Sequence, residues 1–257
     1  MRTAGSNADT TNLTSPALLQ NAQELIKHLR RLSIVDIQQA MKVSPALAEK
    51  TNTLLQQWTN EMCLLMPAAD SFLGDVYSGL QYRGLSELAK QRADRQLRIV
   101  SGLYGVLRPR DGIYPYRLEM GYKIPTLSKG SLYSYWGNMI ANQLDSSTAV
   151  INLAPQEYSK AVLPHLSKET IVVTPKFLTY NHKTKKPTAV AVHAKIARGA
   201  FARWMLENDI EHINDLNQFA LLGYRHDARL SEPSQPVFVC QDFQGTGLSI
   251  KKSVASQ

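Results

Sequence analysis

Only two cysteines, Cys63 and Cys240, occur in 257 residues. Two thiols support no disulfide framework, fit a reducing cytosol, and are not spaced as a metal pair. Long apolar runs are also missing, since none approaches the ~18 residues that a membrane helix needs. The N-terminus has no apolar core of a signal peptide, which argues against export. Neither Walker A nor GxGxxG occurs, so a standard nucleotide site has no support. The six histidines, His28, His193 and His226 among them, follow neither HExxH nor another ligand spacing. An iron site assembled from distant histidines and carboxylates stays open, but the local sequence predicts no metal and no cofactor. Serine, histidine and aspartate are present without a nucleophile elbow, so hydrolase chemistry has no warrant.

Acidic residues are the scarce charge: 21 Asp and Glu stand against 29 Lys and Arg, a net charge of +8. Apolar residues at 44% and charged residues at 19% describe an ordinary folded chain with a large core. The excess is localised. Residues 83–129 carry ten basic and four acidic side chains, and residues 160–203 carry nine basic side chains and only Glu169. Basic charge gathered in two segments is the electrostatic footprint expected for a polyanion, if the segments share a side of the molecule. On opposite sides they would make no common field.

The stretch from Leu97 to Gly121, LRIVSGLYGVLRPRDGIYPYRLEMG, concentrates the chemistry. It reads as a helix to about residue 107, interrupted by Gly102 and Gly105, with a turn at Arg108-Pro109-Arg110-Asp111-Gly112. Pro109 disfavours helical geometry at Arg108, and Gly112 suits a tight turn. Glycines beside a helix end would leave amide N–H groups free for an anion. Arg98, Arg108, Arg110 and Arg117 surround that opening, and a guanidinium fork matches phosphate oxygens. The bland reading is a glycine-broken helix with solvated arginines.

Taken in order, residues 1–14 are polar, without periodicity, and read as a disordered tail. Ser15-Pro16 and Ser44-Pro45 are helix starts, and Ser33 with Asp36 resembles a capping box. They predict helices to about Arg31, from Ser33 to Met41, and through Trp58, a helical subregion over about 15–60. Gly74 to Leu80 reads as a strand, loop or turn, and residues 84–107 as a helix with a basic surface. Leu132 to Leu144 reads as a helix whose aromatics are core rather than base-stacking platforms. Ala149 to Ala154, Ile171 to Leu178, Thr188 to Ala194 and Val237 to Cys240 read as strands. A basic hairpin, Asn181 to Pro187, links the second and third. The helix Lys195 to Asn208 buries Ala197, Ala200, Phe201 and Trp204 and presents Lys195, Arg198 and Arg203, with Gly199 among the cations allowing close backbone approach. A short helix over 212–219 and a loose tail over 243–257 complete the chain.

Six segments occur in one order: GDVYSGL (Gly74–Leu80), SGLYGVLRPRD (Ser101–Asp111), PYRLEMG (Pro115–Gly121), YWGN (Tyr135–Asn138), INLAPQEY (Ile151–Tyr158) and HAKIARG (His193–Gly199). Together they resemble the bacterial peroxide-stress protein YaaA family over roughly residues 15–240. The resemblance implies a cytoplasmic protein of the hydrogen-peroxide response that limits free intracellular iron. It implies a mixed α/β fold with a helix-hairpin-helix-like element and a basic cleft that binds duplex DNA. One departure stands out. Family members begin with a short apolar strand running into Ser-Pro-Ala-Lys-Thr, whereas here Ser15-Pro16-Ala17 is followed by Leu18. The strand and its lysine are missing from the expected place, and no role for that lysine carries over.

The expected fold is therefore mixed α/β (α+β), with a helical N-terminal part and a central sheet flanked by helices. It forms one domain over 15–242. The expected activity is monomeric binding of double-stranded DNA with low sequence specificity and no membrane partner. Its phosphate contacts are Arg98, Gly102, Gly105, Arg108, Arg110, Arg117, Lys123, Lys195, Arg198 and Gly199. The competing reading is an enzyme on a small phosphorylated or nucleotide substrate, with Glu119, Asn152 and Glu157 as active-site candidates in the same cleft.

Overall fold

Helix starts near the N-terminus follow their capping chemistry. In this computed structural model, which describes residues 1, 12–127, 130–144 and 149–250, the chain opens with α1 (Leu19–Leu29), α2 (Ile34–Met41) and α3 (Pro45–Gln57). Ser33 and Asp36 form a reciprocal capping box on α2. Ser44 accepts the Leu47 N–H of α3, with Pro45 at the first helical position. Ser15 caps nothing comparable: α1 begins after Leu18, which supplies no side-chain cap. Its apolar stripe, Ala22, Leu25, Ile26 and Leu29, is buried as the spacing predicts. Arg30 closes the group by donating to the carbonyls of Leu55, Gln56 and Trp58 at the end of α3.

Next come β1 (Met66–Pro67), α4 (Ala68–Ser71), α5 (Asp75–Leu80), α6 (Glu87–Gln96), β2 (Ile99–Ser101), β3 (Gly105–Leu107), β4 (Gly112–Ile113) and α7 (Leu132–Trp136). Two expectations change here. Gly74 to Leu80 is helical rather than a strand or loop, with Gly74 at its N-cap. The helix expected to continue to residue 107 stops at Gln96 and gives way to the antiparallel pair β2–β3, in which Ser101 faces Gly105. Ile99 and Val100 favour the pleat, and Gly105 takes φ +70, which no helix accommodates. The turn Arg108–Gly112 therefore joins the strands β3 and β4. α7 is shorter than expected because Gly137 at φ +47 ends it.

The chain continues with β5 (Val150–Ile151), α8 (Gln156–Ser159), β6 (Val172–Val173), β7 (Lys176–Asn181), β8 (Lys186–Thr188), α9 (Ala191–Glu207), β9 (Tyr224–His226) and β10 (Val237–Cys240). The strand expected over 188–194 ends at Thr188, and α9 starts three residues later. The class is mixed α/β. Strands are divided among one four-stranded sheet, ordered β8-β7-β10-β9, and three two-stranded pairs, β1-β4, β2-β3 and β5-β6. In the large sheet β10 runs parallel to β7 and antiparallel to β9.

Two compact units account for the chain. The first comprises Met1–Phe72, Gln96–Ser146 and Ala154–Lys168, and the second Leu73–Arg95, Ser147–Leu153 and Glu169–Gln257. In the first, Trp58 Nε1 donates to the Tyr104 hydroxyl at 2.9 Å within a buried aromatic group that includes Tyr116. In the second, the Phe177 ring is ringed by Phe201, Phe219, Tyr224 and Phe238 at 5.4–5.9 Å. These aromatics cover one face of the four-stranded sheet with α9.

Residues 2–11 of the expected N-terminal tail and 251–257 of the expected C-terminal tail lie outside the described residues. Thr14, just before the Ser-Pro pair, forms a parallel bridge to Asp111, with the Gly112 N–H donating to its carbonyl at 2.8 Å. Beyond β10, the Phe243 ring stacks on His193 and the Ser249 amide and hydroxyl donate to Asp75 at 3.0 and 2.9 Å.

Candidate functional site

The predicted site residues divide between the two units. In the first, the turn Arg108–Gly112 is built around Asp111, a carboxylate only 1% exposed. It accepts the Arg108 N–H at 2.8 Å and the Thr14 hydroxyl at 2.6 Å, and Arg108 Nε approaches it at 3.5 Å. The turn's own carbonyls receive the first N–H groups of α4: Ala68 bonds Asp111 at 2.9 Å and Ala69 bonds Pro109 at 3.0 Å. A buried carboxylate satisfied by backbone and hydroxyl donors fixes the loop. The side chains of Arg108 and Arg110 are left exposed at its outer edge. Lys123 is exposed as well, bridged through its backbone to Ser131. Arg98 is half-buried and donates to the Leu97 carbonyl.

Gly102 and Gly105 do not form the expected amide cradle. Both are buried, and protein atoms take the space that a ligand would need. A Cβ on Gly102 would sit 2.3 Å from the Leu118 carbonyl, and the Gly102 carbonyl itself accepts Trp136 Nε1 at 3.0 Å. A Cβ on Gly105 would meet Leu18 at 2.8 Å and the Trp136 ring at 3.0 Å. The glycines serve close packing rather than an anion.

Three separated pieces of the first unit instead assemble a polar cluster. The loop 117–122 brings Arg117, Glu119, the Gly121 amide and Tyr122. α7 brings Tyr133, and α8 brings Glu157 and Tyr158. Tyr158 Oη makes a short hydrogen bond to Glu119. The Gly121 N–H donates to Glu157 Oε1 at 2.8 Å, and the Tyr133 hydroxyl donates to the Glu157 carbonyl at 2.9 Å. Burial, and then the bond to Glu119, push the Tyr158 hydroxyl well above the ordinary tyrosine range. Burial raises Tyr122 too, with the Arg117 charge opposing it. Arg117 reaches the Tyr122 hydroxyl only at 3.5 Å, and its buried Nε has no partner among the described residues.

Of the three predicted active-site candidates, Glu119 and Glu157 fall in this cluster. Asn152 belongs to the second unit, where its amide donates to the Thr174 hydroxyl at 3.2 Å. The Glu119–Tyr158 pairing spans 39 residues, so no local pattern announces it.

In the second unit, Lys195 is exposed on α9, while Arg198 is half-buried and burial lowers its pKa. Arg203 is turned inward. It donates to the carbonyls of Gln81 at 3.0 Å and Gly84 at 2.5 Å and pairs with Glu207. Gly199 does allow close backbone approach, but the neighbour is α5. Lys183, Lys185 and Lys186 are exposed on the β7–β8 hairpin. Among the described residues no group of three or more His, Cys, Asp or Glu gathers to hold a metal, and no helix is long and apolar enough to cross a membrane.

Residues 1–230 match a family model described as peroxide stress protein YaaA. A UPF0246 protein from Salinispora tropica is 48% identical over 240 residues, covering 93% of this chain and 91% of that protein. UPF0246 proteins from Shewanella woodyi and Ruegeria sp. are 38% and 40% identical, each covering about nine-tenths of both chains.

Proposed function

The chain belongs to the peroxide stress protein YaaA family, and from that premise we propose that it binds duplex DNA through phosphate contacts within a peroxide response that limits free iron. The observation that carries this reading is the turn locked on Asp111, at which Arg108 and Arg110 are both exposed, on a chain of net charge +8. Lys123 in the same unit, and Lys195 with the β7–β8 lysines in the other, add cationic surface. Contacts to phosphate position a protein without selecting sequence, so sequence preference is weak. The protein acts as a monomer in the cytoplasm, away from membranes.

Salt dependence tests the reading. Neutralising about six phosphates gives a slope of log K on log salt near −5, and replacing Arg108 and Arg110 together by alanine flattens it by about 2. A parent slope flatter than about −2 defeats the proposal. For the iron role, electron paramagnetic resonance of peroxide-challenged cells lacking the protein reads more free iron than in complemented cells. Equal signals count against it.

A second reading is favoured by the cluster around Arg117, Glu119 and Tyr158: an enzyme acting on a small phosphorylated or nucleotide substrate. A thermal-shift screen separates the two, since each ligand stabilises the protein according to its own affinity. Stabilisation by duplex alone supports the binder, and stabilisation by a small ligand supports the enzyme.

A further inference from the structure

Two other half-buried arginines of this protein are well supplied with acceptors. Arg203 has two close carbonyls and Glu207, and Arg92 has the Leu206 carbonyl and Asp209. Arg117 differs. A guanidinium carries five N–H donors. Among the described residues Arg117 places one of them, at 3.5 Å, and its Nε is shut from water with no acceptor. A buried donor left unmade is unfavourable, so its persistence asks for a partner.

Two carboxylates lie in the same neighbourhood, yet neither is bonded to this cation. Glu119 is engaged by the Tyr158 hydroxyl and Glu157 by the Gly121 amide. Arg117, Glu119 and Glu157 all act electrostatically on Tyr122, which places them around one spot. Each acid thus gives one oxygen to a hydrogen bond of its own rather than to the arginine. Gly121, Lys123 and Glu157 are exposed beside the cluster, and the Met1 amine lies within electrostatic range of Arg117 and Glu119.

We propose that this cluster is a binding site for a small hydroxylated phosphate, with Arg117 taking the phosphate oxygens and the Glu119–Tyr158 pair taking a sugar hydroxyl. The inference rests on the second reading above and gives that site its substrate class: sugar phosphates and mononucleotides. A guanidinium fork presents parallel N–H groups to two oxygens of one anion. The second oxygen of Glu119 has no partner among the described residues and accepts a ligand O–H. The net charge of the chain favours a phosphate dianion over a carboxylate. The same phosphate chemistry could come from a free metabolite or from a nucleotide within a strand.

Calorimetric titration of the full chain with ribose 5-phosphate, inorganic phosphate and a blunt duplex tests the proposal. Ribose 5-phosphate binds saturably and more tightly than inorganic phosphate. Arg117→Met weakens both about tenfold or more, in line with loss of a charge-assisted fork. Tyr158→Phe and Glu119→Gln weaken ribose 5-phosphate several-fold and leave inorganic phosphate unchanged. If Arg117→Met melts well below the parent, Arg117→Lys takes its place, keeping the charge but not the fork, and still loses affinity. Displacement of ribose 5-phosphate by duplex assigns the phosphate to a strand, and no displacement assigns it to a free metabolite; both support the site. No saturable binding of either small probe up to about 10 mM, or equal affinity in the parent and the Arg117 variant, overturns it. Failure of the DNA reading is seen separately, in the salt slope and in Arg108 and Arg110.

Discussion

Gly79 on α5 and Gly199 on α9 face each other where the two helices cross. A Cβ on Gly79 would lie 2.0 Å from the Ile196 carbonyl oxygen, and one on Gly199 would lie 1.8 Å from that of Val76. Backbone, not a flexible side chain, stands in the way on both sides, so neither helix can yield without moving whole. Gly199→Ala is expected to cost about 3 kcal/mol or more by urea denaturation, at the upper end for overpacking. Gly84→Ala is the control: its nearest neighbour is the end of the Arg203 side chain at 3.4 Å. That variant stays within about 0.5 kcal/mol of the parent. A tolerated Gly199→Ala contradicts the crossing described above.

Tyr104 is buried in the first unit and serves two donors with one hydroxyl, Trp58 Nε1 at 2.9 Å and the Tyr114 N–H at 3.0 Å. Tyr104→Phe strands both and is expected to destabilise the protein by about 2 kcal/mol or more. Burial also pushes this phenol up to about 12. Its folded pKa is raised above the unfolded value of about 10, so its contribution is complete below pH ~10 and is lost as pH rises towards 12. The melting temperature of the parent should therefore fall over that alkaline window. Tyr104→Phe should show a smaller fall, and an equal fall in both would refute the assignment.

His193, in the first turn of α9, stacks on Phe243 with centroids 4.0 Å apart and planes 10° from parallel. Thr179 Oγ1 lies 3.0 Å from its Nδ1. Burial lowers its pKa below 6.5. A histidine with a lowered folded pKa binds fewer protons than the unfolded chain. Its contribution is therefore present above pH ~6.5 and is lost as pH falls through the lowered value. Phe243→Ala exposes the ring, so its pKa, followed by NMR, should rise towards the ordinary value. An unchanged titration would show that the stack is not what shields it.

Capping chemistry makes α2 and α3 readable in the sequence, because Ser33, Asp36 and Ser44 act on backbone groups within three residues. The stripe of α1 was readable for the same local reason. Residues 97–107 were not. Leu97, Val100 and Leu103 recur at helical spacing, but two glycines and the β-branched pair Ile99-Val100 outweigh that short pattern once β3 is present to pair with. Gly199 marked a close backbone approach, yet sequence could not say that α5 would be the visitor. The same applies to Gly102 and Gly105, whose neighbours come from residues 18, 118 and 136. Arg108 and Arg110 were legible as a turn because Pro109 and Gly112 are local signals. The joining of Glu119 to Tyr158 depends on where α8 lands against the 117–122 loop, which no window of sequence contains.

The position of β10 bears on how the molecule is made. It is an inner strand, flanked by β7 and β9, yet it is the last of its sheet to leave the ribosome. Until Val237–Cys240 has been translated, β7 lacks its parallel neighbour and Phe177 lacks the stacked ring of Phe238. Nascent chains stalled before that point would hold an open strand edge and a half-covered aromatic face, a state suited to chaperone capture.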